Sequence, residues 1–181
     1  SVKNSTFKNN AANKEYGGAL ALYGAVNATI EDSTFIGNTA KGNGGAIQMN
    51  SGTTKALVKN CTFTGNSSDS KGDAIYVYGK LTVDGITMSG NGDDVYVGSG
   101  SFALKGDVAM ERVFLNEGKT IALDEELTVA GSPITVVGTL DTKVLSGEKV
   151  SEYYSYFCGN SSAITVESDG TLTGHVVYVA E

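Results

Sequence analysis

The stretch Asn4-Ser5-Thr6-Phe7-Lys8-Asn9-Asn10 returns as Asp32-Ser33-Thr34-Phe35-Ile36-Gly37-Asn38 and again as Asn60-Cys61-Thr62-Phe63-Thr64-Gly65-Asn66, a period of 28 residues. A looser fourth copy, Gly85-Ile86-Thr87-Met88-Ser89-Gly90-Asn91, follows 25 residues later and keeps an apolar residue where Phe stands. Self-similarity at such a period marks a solenoid, whose units bury their apolar faces only by stacking on one another.

Superposing the copies produces columns. Val2, Ile30, Val58 and Val83 share an inward position, and Asn4, Asp32, Asn60 and Gly85 follow two residues later. Asn, Asp and Gly are the residues that best tolerate a left-handed backbone, so this second column predicts a corner between strands. Alternation then resumes. Thr6, Thr34, Thr62 and Thr87 point out, while Phe7, Phe35, Phe63 and Met88 point in and stack along the axis. Three residues on, Asn10, Asn38, Asn66 and Asn91 leave the strand, and their amides are spaced to hydrogen-bond from coil to coil as a ladder.

A second motif alternates with the first: Gly17-Gly18-Ala19-Leu20, Gly44-Gly45-Ala46-Ile47 and Gly72-Asp73-Ala74-Ile75. The paired glycines predict a turn at positive φ, with Asp73 tolerated because Asp also visits that region. Leu20, Ile47, Ile75 and Val95 then face inward with Leu22, Met49, Val77 and Val97, leaving Ala21, Gln48, Tyr76 and Tyr96 to face solvent. One further column, Lys3, Glu31, Lys59, Asp84 and Lys105, alternates in sign and reads as an ion-pair ladder that sets register. Three short strands per coil, parallel to their counterparts above and below, predict an all-β fold: a single-stranded right-handed parallel β-helix of about six or seven coils. Residues 1–98 carry the repeats, and residues 99–181 hold degenerate closing coils and an irregular C-terminal capping region of the same domain.

Composition agrees. Twenty-four Gly, one Pro and 40% apolar residues describe a folded, turn-rich chain, and no apolar run is long enough for a membrane helix. A net charge of −7 with a pI of 4.7 argues against nucleic-acid binding or insertion into a membrane. Cys61 stands where Ser5, Ser33 and Ile86 stand and reads as a small buried residue. Ser1 falls inside a repeat copy, which suggests further coils upstream.

The Phe-x-x-Asn motif alternating with Gly-Gly-Ala-[Ile/Leu] resembles the repeat of the polymorphic outer membrane proteins of chlamydiae and related adhesin-like β-helices of microbial surfaces. The resemblance covers residues 2–98. It implies an extracellular, cell-surface adhesin or stalk segment that attaches to a host-cell or bacterial surface protein or glycan; separately, the residues lead us to expect no enzyme activity, cofactor or metal. Tyr76, Tyr78 and Tyr96, placed outward on neighbouring coils, are the candidate ligand platform.

The alternative is a carbohydrate-binding or carbohydrate-active β-helix of the lyase or hydrolase kind. Such an enzyme needs paired carboxylates or a calcium cluster with a basic residue. The candidates are Asp73, Asp93 and Asp94 near one turn, with Asp69 close by; Arg112 is placed two coils away and His175 in the cap. Acidic turns on an acidic chain usually face water. Ice binding through the Thr column ranks last, because a single file of threonines is too narrow.

Overall fold

The computed structural model describes residues 1–24, 27–50, 54–123, 125–161 and 163–174. Strands stack in parallel and in register from coil to coil. The first sheet runs Val2–Lys3, Asn27–Glu31, Lys55–Thr64, Lys80–Ser89, Ser101–Ala109, Ile121–Ala122 and Leu145–Ser146. The second runs Leu20–Leu22, Ile47–Met49, Ile75–Val77, Val95–Val97, Arg112–Leu115, Ile134–Val137 and Phe157–Gly159. A short third sheet joins Ala11–Ala12, Thr39–Ala40 and Ser67–Ser68. Seven rungs make about six turns of a parallel β-helix.

Each inward column of the sequence is a ladder of paired residues. Val2 lies against Ile30, Ile30 against Val58, Val58 against Val83 and Val83 against Leu104. The coil therefore shortens from 28 residues between Ile30 and Val58 to 25 between Val58 and Val83, then to 21 before Leu104. Length is lost from the connections, whose backbone is solvated, and not from the strands.

The corner column adopts the left-handed backbone expected of it: φ is 48° at Asn4, 50° at Asp32, 49° at Asn60, 65° at Gly85 and 71° at Gly106. Beside the ladder asparagines lies a second left-handed column, Asn9, Gly37, Gly65 and Gly90, with φ between 55° and 62°. Interchange of Asn and Gly is its sequence signal, and the reading of the motif passed over it.

The paired glycines divide their labour. Gly17, Gly44 and Gly72 take positive φ, but Gly18, Gly45 and Asp73 do not. A Cβ on Gly18 would stand 2.1 Å from the Gly45 carbonyl oxygen, and one on Gly45 2.1 Å from that of Asp73. The second glycine is thus required by close approach of consecutive coils. This corrects the expectation that Asp73 is tolerated for its φ. Asp73 is kept because its carboxylate caps two backbone N–H groups, from Ser68 at 2.8 Å and Asp93 at 2.9 Å.

At the far end the chain leaves the solenoid. Val150–Tyr153 is a single helical turn, and Thr142–Lys143, Thr171–Gly174 and Ile164–Val166 form a small antiparallel sheet. Val150, Val166 and Leu172 join the continuous core, so this unit covers the last rung. Phe157 pairs with Ile134 as part of that rung.

Candidate functional site

Inside the coil the aromatic column is a stack. Phe7 and Phe35 lie 4.9 Å apart with rings 5° from parallel, and Phe35 and Phe63 lie 4.6 Å apart at 6°. Met88 continues the file beneath Phe63. Phe35 and Phe63 have no exposed surface, so neither can meet a ligand.

The asparagines form a hydrogen-bonded chain. The Asn10 amide donates to Asn38 Oδ1 at 2.8 Å, Asn38 to Asn66 at 2.9 Å, and Asn66 to Asn91 at 2.9 Å. Each acceptor oxygen also takes the backbone N–H of the residue above it, and each of the last three amides donates a second proton to a Phe7, Phe35 or Phe63 carbonyl. Every side-chain polar atom of the three buried asparagines, Asn38, Asn66 and Asn91, is occupied, as burial demands.

This chain ends on a carboxylate. Asn91 Nδ2 donates to Asp94 Oδ1 at 2.9 Å, while Asp94 Oδ2 accepts the backbone N–H groups of Glu111 at 2.6 Å and Arg112 at 3.2 Å. Asp94 is completely buried. Burial pushes its pKa above the usual carboxylate range, against the opposing pull of those three donors. The expectation of an acidic turn facing water fails here, because a carboxylate accepts four bonds where an asparagine would bring donors of its own. Asp93 has a different fate: its Oδ1 faces Arg112 Nη1 at 3.5 Å, so Arg112 stands one coil away and not two. Asp69 is exposed and pairs with Lys41 at 3.9 Å. His175 lies outside the described residues. No cluster of three or more His, Cys, Asp or Glu able to hold a metal occurs among the described residues.

The sign-alternating column pairs in register throughout. Close contacts join Lys3 to Glu31 at 2.6 Å and Lys59 to Asp84 at 3.6 Å, whereas Lys105 reaches Glu125 at 3.8 Å. Cys61 is buried in the column of Ser33, and burial raises its pKa, which makes it an inert thiol.

The three platform tyrosines part company. Tyr78 is 45% exposed and Tyr76 is half-buried, but Tyr96 is only 5% exposed. Tyr96 does point outward from its strand; it is covered because Tyr76 stacks on one side at 5.7 Å and Phe114 on the other at 4.5 Å. Lys71 Nζ lies 4.9 Å above its ring, and its hydroxyl donates to Asn116 Oδ1 at 2.8 Å. Tyr96 is therefore part of an external structural stack. Gln48, also expected in solvent, is 2% exposed, and its Oε1 has no hydrogen-bond partner among the described residues.

Two exposed tyrosines that the sequence reading passed over take the place of Tyr96: Tyr16 at 41% and Tyr23 at 50%. Tyr23, Asn50 and Tyr78 directly follow the paired strand ends of three successive coils, so Tyr23 and Tyr78 stand two coils apart, about 10 Å. The signal was present, since each follows an inward Leu22 or Val77, but no Tyr occupies the coil between them.

A family model described as a right-handed β-helix region matches residues 1–125. Its hand is the one that parallel crossover connections favour. Comparison with curated proteins finds no match, and comparison with solved structures finds none either. With in-register parallel rungs and a match over more than two thirds of its length, the chain belongs to the right-handed β-helix family.

Proposed function

We propose that this chain is an extracellular, cell-surface stalk or adhesin segment that acts by attachment, offering the outer faces of a rigid β-helix to a protein or glycan partner. The observation that carries this reading is the employment of its chemistry-bearing groups. Asp94 spends both oxygens on the ladder and on backbone N–H groups, Asp73 spends both on turns, and the asparagines bond to one another. What remains for a partner is surface, and its exposed aromatics among the described residues are Tyr16, Tyr23 and Tyr78. Tyrosine supplies large contact area for little lost side-chain freedom, which suits it to attachment.

The test is adhesion of chain-coated beads to epithelial and bacterial cells. Wild-type beads should bind above uncoated ones, and Tyr23→Ala with Tyr78→Ala should lower the bound fraction while circular dichroism and melting stay unchanged. Binding no better than that of uncoated beads would refute attachment by this segment.

A polysaccharide-active surface is the second reading, favoured by the Asp93–Arg112 pair beside Asp73 at one turn. It predicts turnover of a polysaccharide such as pectin or alginate that Asp93→Asn abolishes. Absence of turnover across a polysaccharide panel excludes it.

A further inference from the structure

The corner column loses its side chains partway along the rod. Asn4, Asp32 and Asn60 fill its first three levels, and Gly85 and Gly106 the next two, all with left-handed backbone. Below Asn60 the corner is therefore hollow. The depression measures about 580 Å³ and is lined by Asn60, Thr62, Asp84, Gly85, Thr87 and Asp107. That volume lies within the range that small-ligand sites occupy.

Asn60 also heads an Asn-x-Thr triplet, Asn60-Cys61-Thr62, the acceptor pattern for an N-linked glycan. Chance supplies such triplets readily in a chain rich in Asn and Thr, and this chain has four more, at Asn4, Asn27, Asn66 and Asn160. Their surroundings differ. Asn66 is 1% exposed and spends both amide protons, on the Phe35 carbonyl at 3.1 Å and on Asn91 Oδ1 at 2.9 Å. Asn160 is exposed, but Ser162 of its triplet lies outside the described residues. Asn4 and Asn27 are exposed, and each has a side chain at the next level, Asp32 or Lys55, where Asn60 has Gly85. Asn60 alone of the five combines an exposed amide with an open step beneath it, and only one of its amide protons has an acceptor among the described residues, Asp32 Oδ1 at 3.2 Å. The Thr62 hydroxyl lines the same hollow and has no partner among the described residues.

We propose that Asn60 is the acceptor of an N-linked glycan whose first sugars lie in the hollow over Gly85 and Gly106. The donor is an oligosaccharide joined through C1 to a lipid pyrophosphate, delivered by a membrane transferase of the producing cell. A bond forms between Asn60 Nδ2 and C1 as the bond from C1 to the phosphate oxygen breaks, the lipid pyrophosphate leaves with that electron pair, and the amide gives up one proton. The second amide proton stays on nitrogen and keeps its bond to Asp32, so the corner survives modification. Glycine at the two levels below leaves no side chain in the path of the sugar, and Asp84, Thr87 and Asp107 offer acceptors and hydroxyls to its ring. The site goes beyond the attachment reading and rests on it in one respect, that the chain is carried across a membrane to where such transferases work.

The experiment maps glycopeptides by mass spectrometry on the full chain recovered from the cells that make it. The peptide holding Asn60 should carry sugar mass, and the peptide holding Asn66 should carry none. Thr62→Val keeps the branched shape of the side chain and removes its hydroxyl; it should abolish the glycan at Asn60 without lowering the melting temperature, and Thr62→Ser should restore it. Loss of modification with an intact fold, rescued by the hydroxyl, is an outcome that a purely structural Thr62 would not give. An unmodified Asn60 in wild type, a glycan on Asn66 in the folded chain, or modification of Asn60 that survives Thr62→Val would each overturn the proposal. Bead adhesion is read on chain made in a host without the transferase, so failure of the acceptor site and failure of the attachment reading are separately visible.

Discussion

Asp94 is the residue at which isosteric substitution is most informative. All its contacts are donors: Asn91 Nδ2 on one oxygen, and the Glu111 and Arg112 N–H groups on the other. Asp94→Asn changes one acceptor into a donor and sets N–H against N–H in either orientation, which should cost about 1–3 kcal/mol in urea unfolding at pH 7. The pH dependence has a definite sign. Because burial raises the native pKa of Asp94, the native state holds its proton over a window where the unfolded chain has released it. Stability then falls as pH rises from the ordinary Asp range of about 4 through the raised value. The Asn variant lacks this slope, so its deficit relative to wild type should widen as pH is lowered across that window; a deficit that narrows would contradict the assignment. Little of this was legible in the sequence. The spacing of Asn91 and Asp94 matches no repeat motif, and a carboxylate after a degenerate turn reads as solvated. The corner residues Asn4, Asp32 and Asn60 were legible, because few residue types accept their φ.

The two internal files make different demands at the level of elements. Phe35 lies between two parallel rings with no exposed surface, and Phe35→Ala should cost about 3–5 kcal/mol, as other large buried aromatics do. Asn66→Leu keeps the branched shape but orphans the Asn38 backbone and side-chain N–H groups together with the Phe35 carbonyl. At about 1–3 kcal/mol for each orphan it should destabilise by at least as much as the Phe35 truncation. Chemical denaturation of both variants checks the pair, and a cost below 1 kcal/mol for Asn66→Leu would mean the ladder holds little. Both files could be read from the repeat, since a periodic residue in a solenoid touches its own counterparts. The outer face could not. Whether Tyr96 meets water depends on Tyr76, Phe114 and Lys71 together, and period-two alternation carries no information on what lies across the top of an outward side chain.

The whole molecule behaves as a stack of nearest-neighbour contacts. Deleting residues 32–59 removes one coil of 28 residues and brings Phe7 over Phe63 and Asn10 over Asn66. The product should fold into a shorter rod with cooperative unfolding. It also sets Glu31 beside Asp84, so it should regain stability with added salt, which screens exposed like charges. The repeat, its inward columns and the presence of a cap were all legible, because coil stacking is encoded by repetition. The antiparallel sheet within the cap was not, because Thr142–Lys143 and Thr171–Gly174 share no repeat with anything else in the chain. The account rests on axial stacking of equivalent residues, and ring-to-ring nuclear Overhauser contacts report it most directly. They should join Phe35 to both Phe7 and Phe63 while Phe7 and Phe63 show none with each other; Phe35 contacting neither ring, or residues of some other column instead, would contradict the fold and everything placed on it.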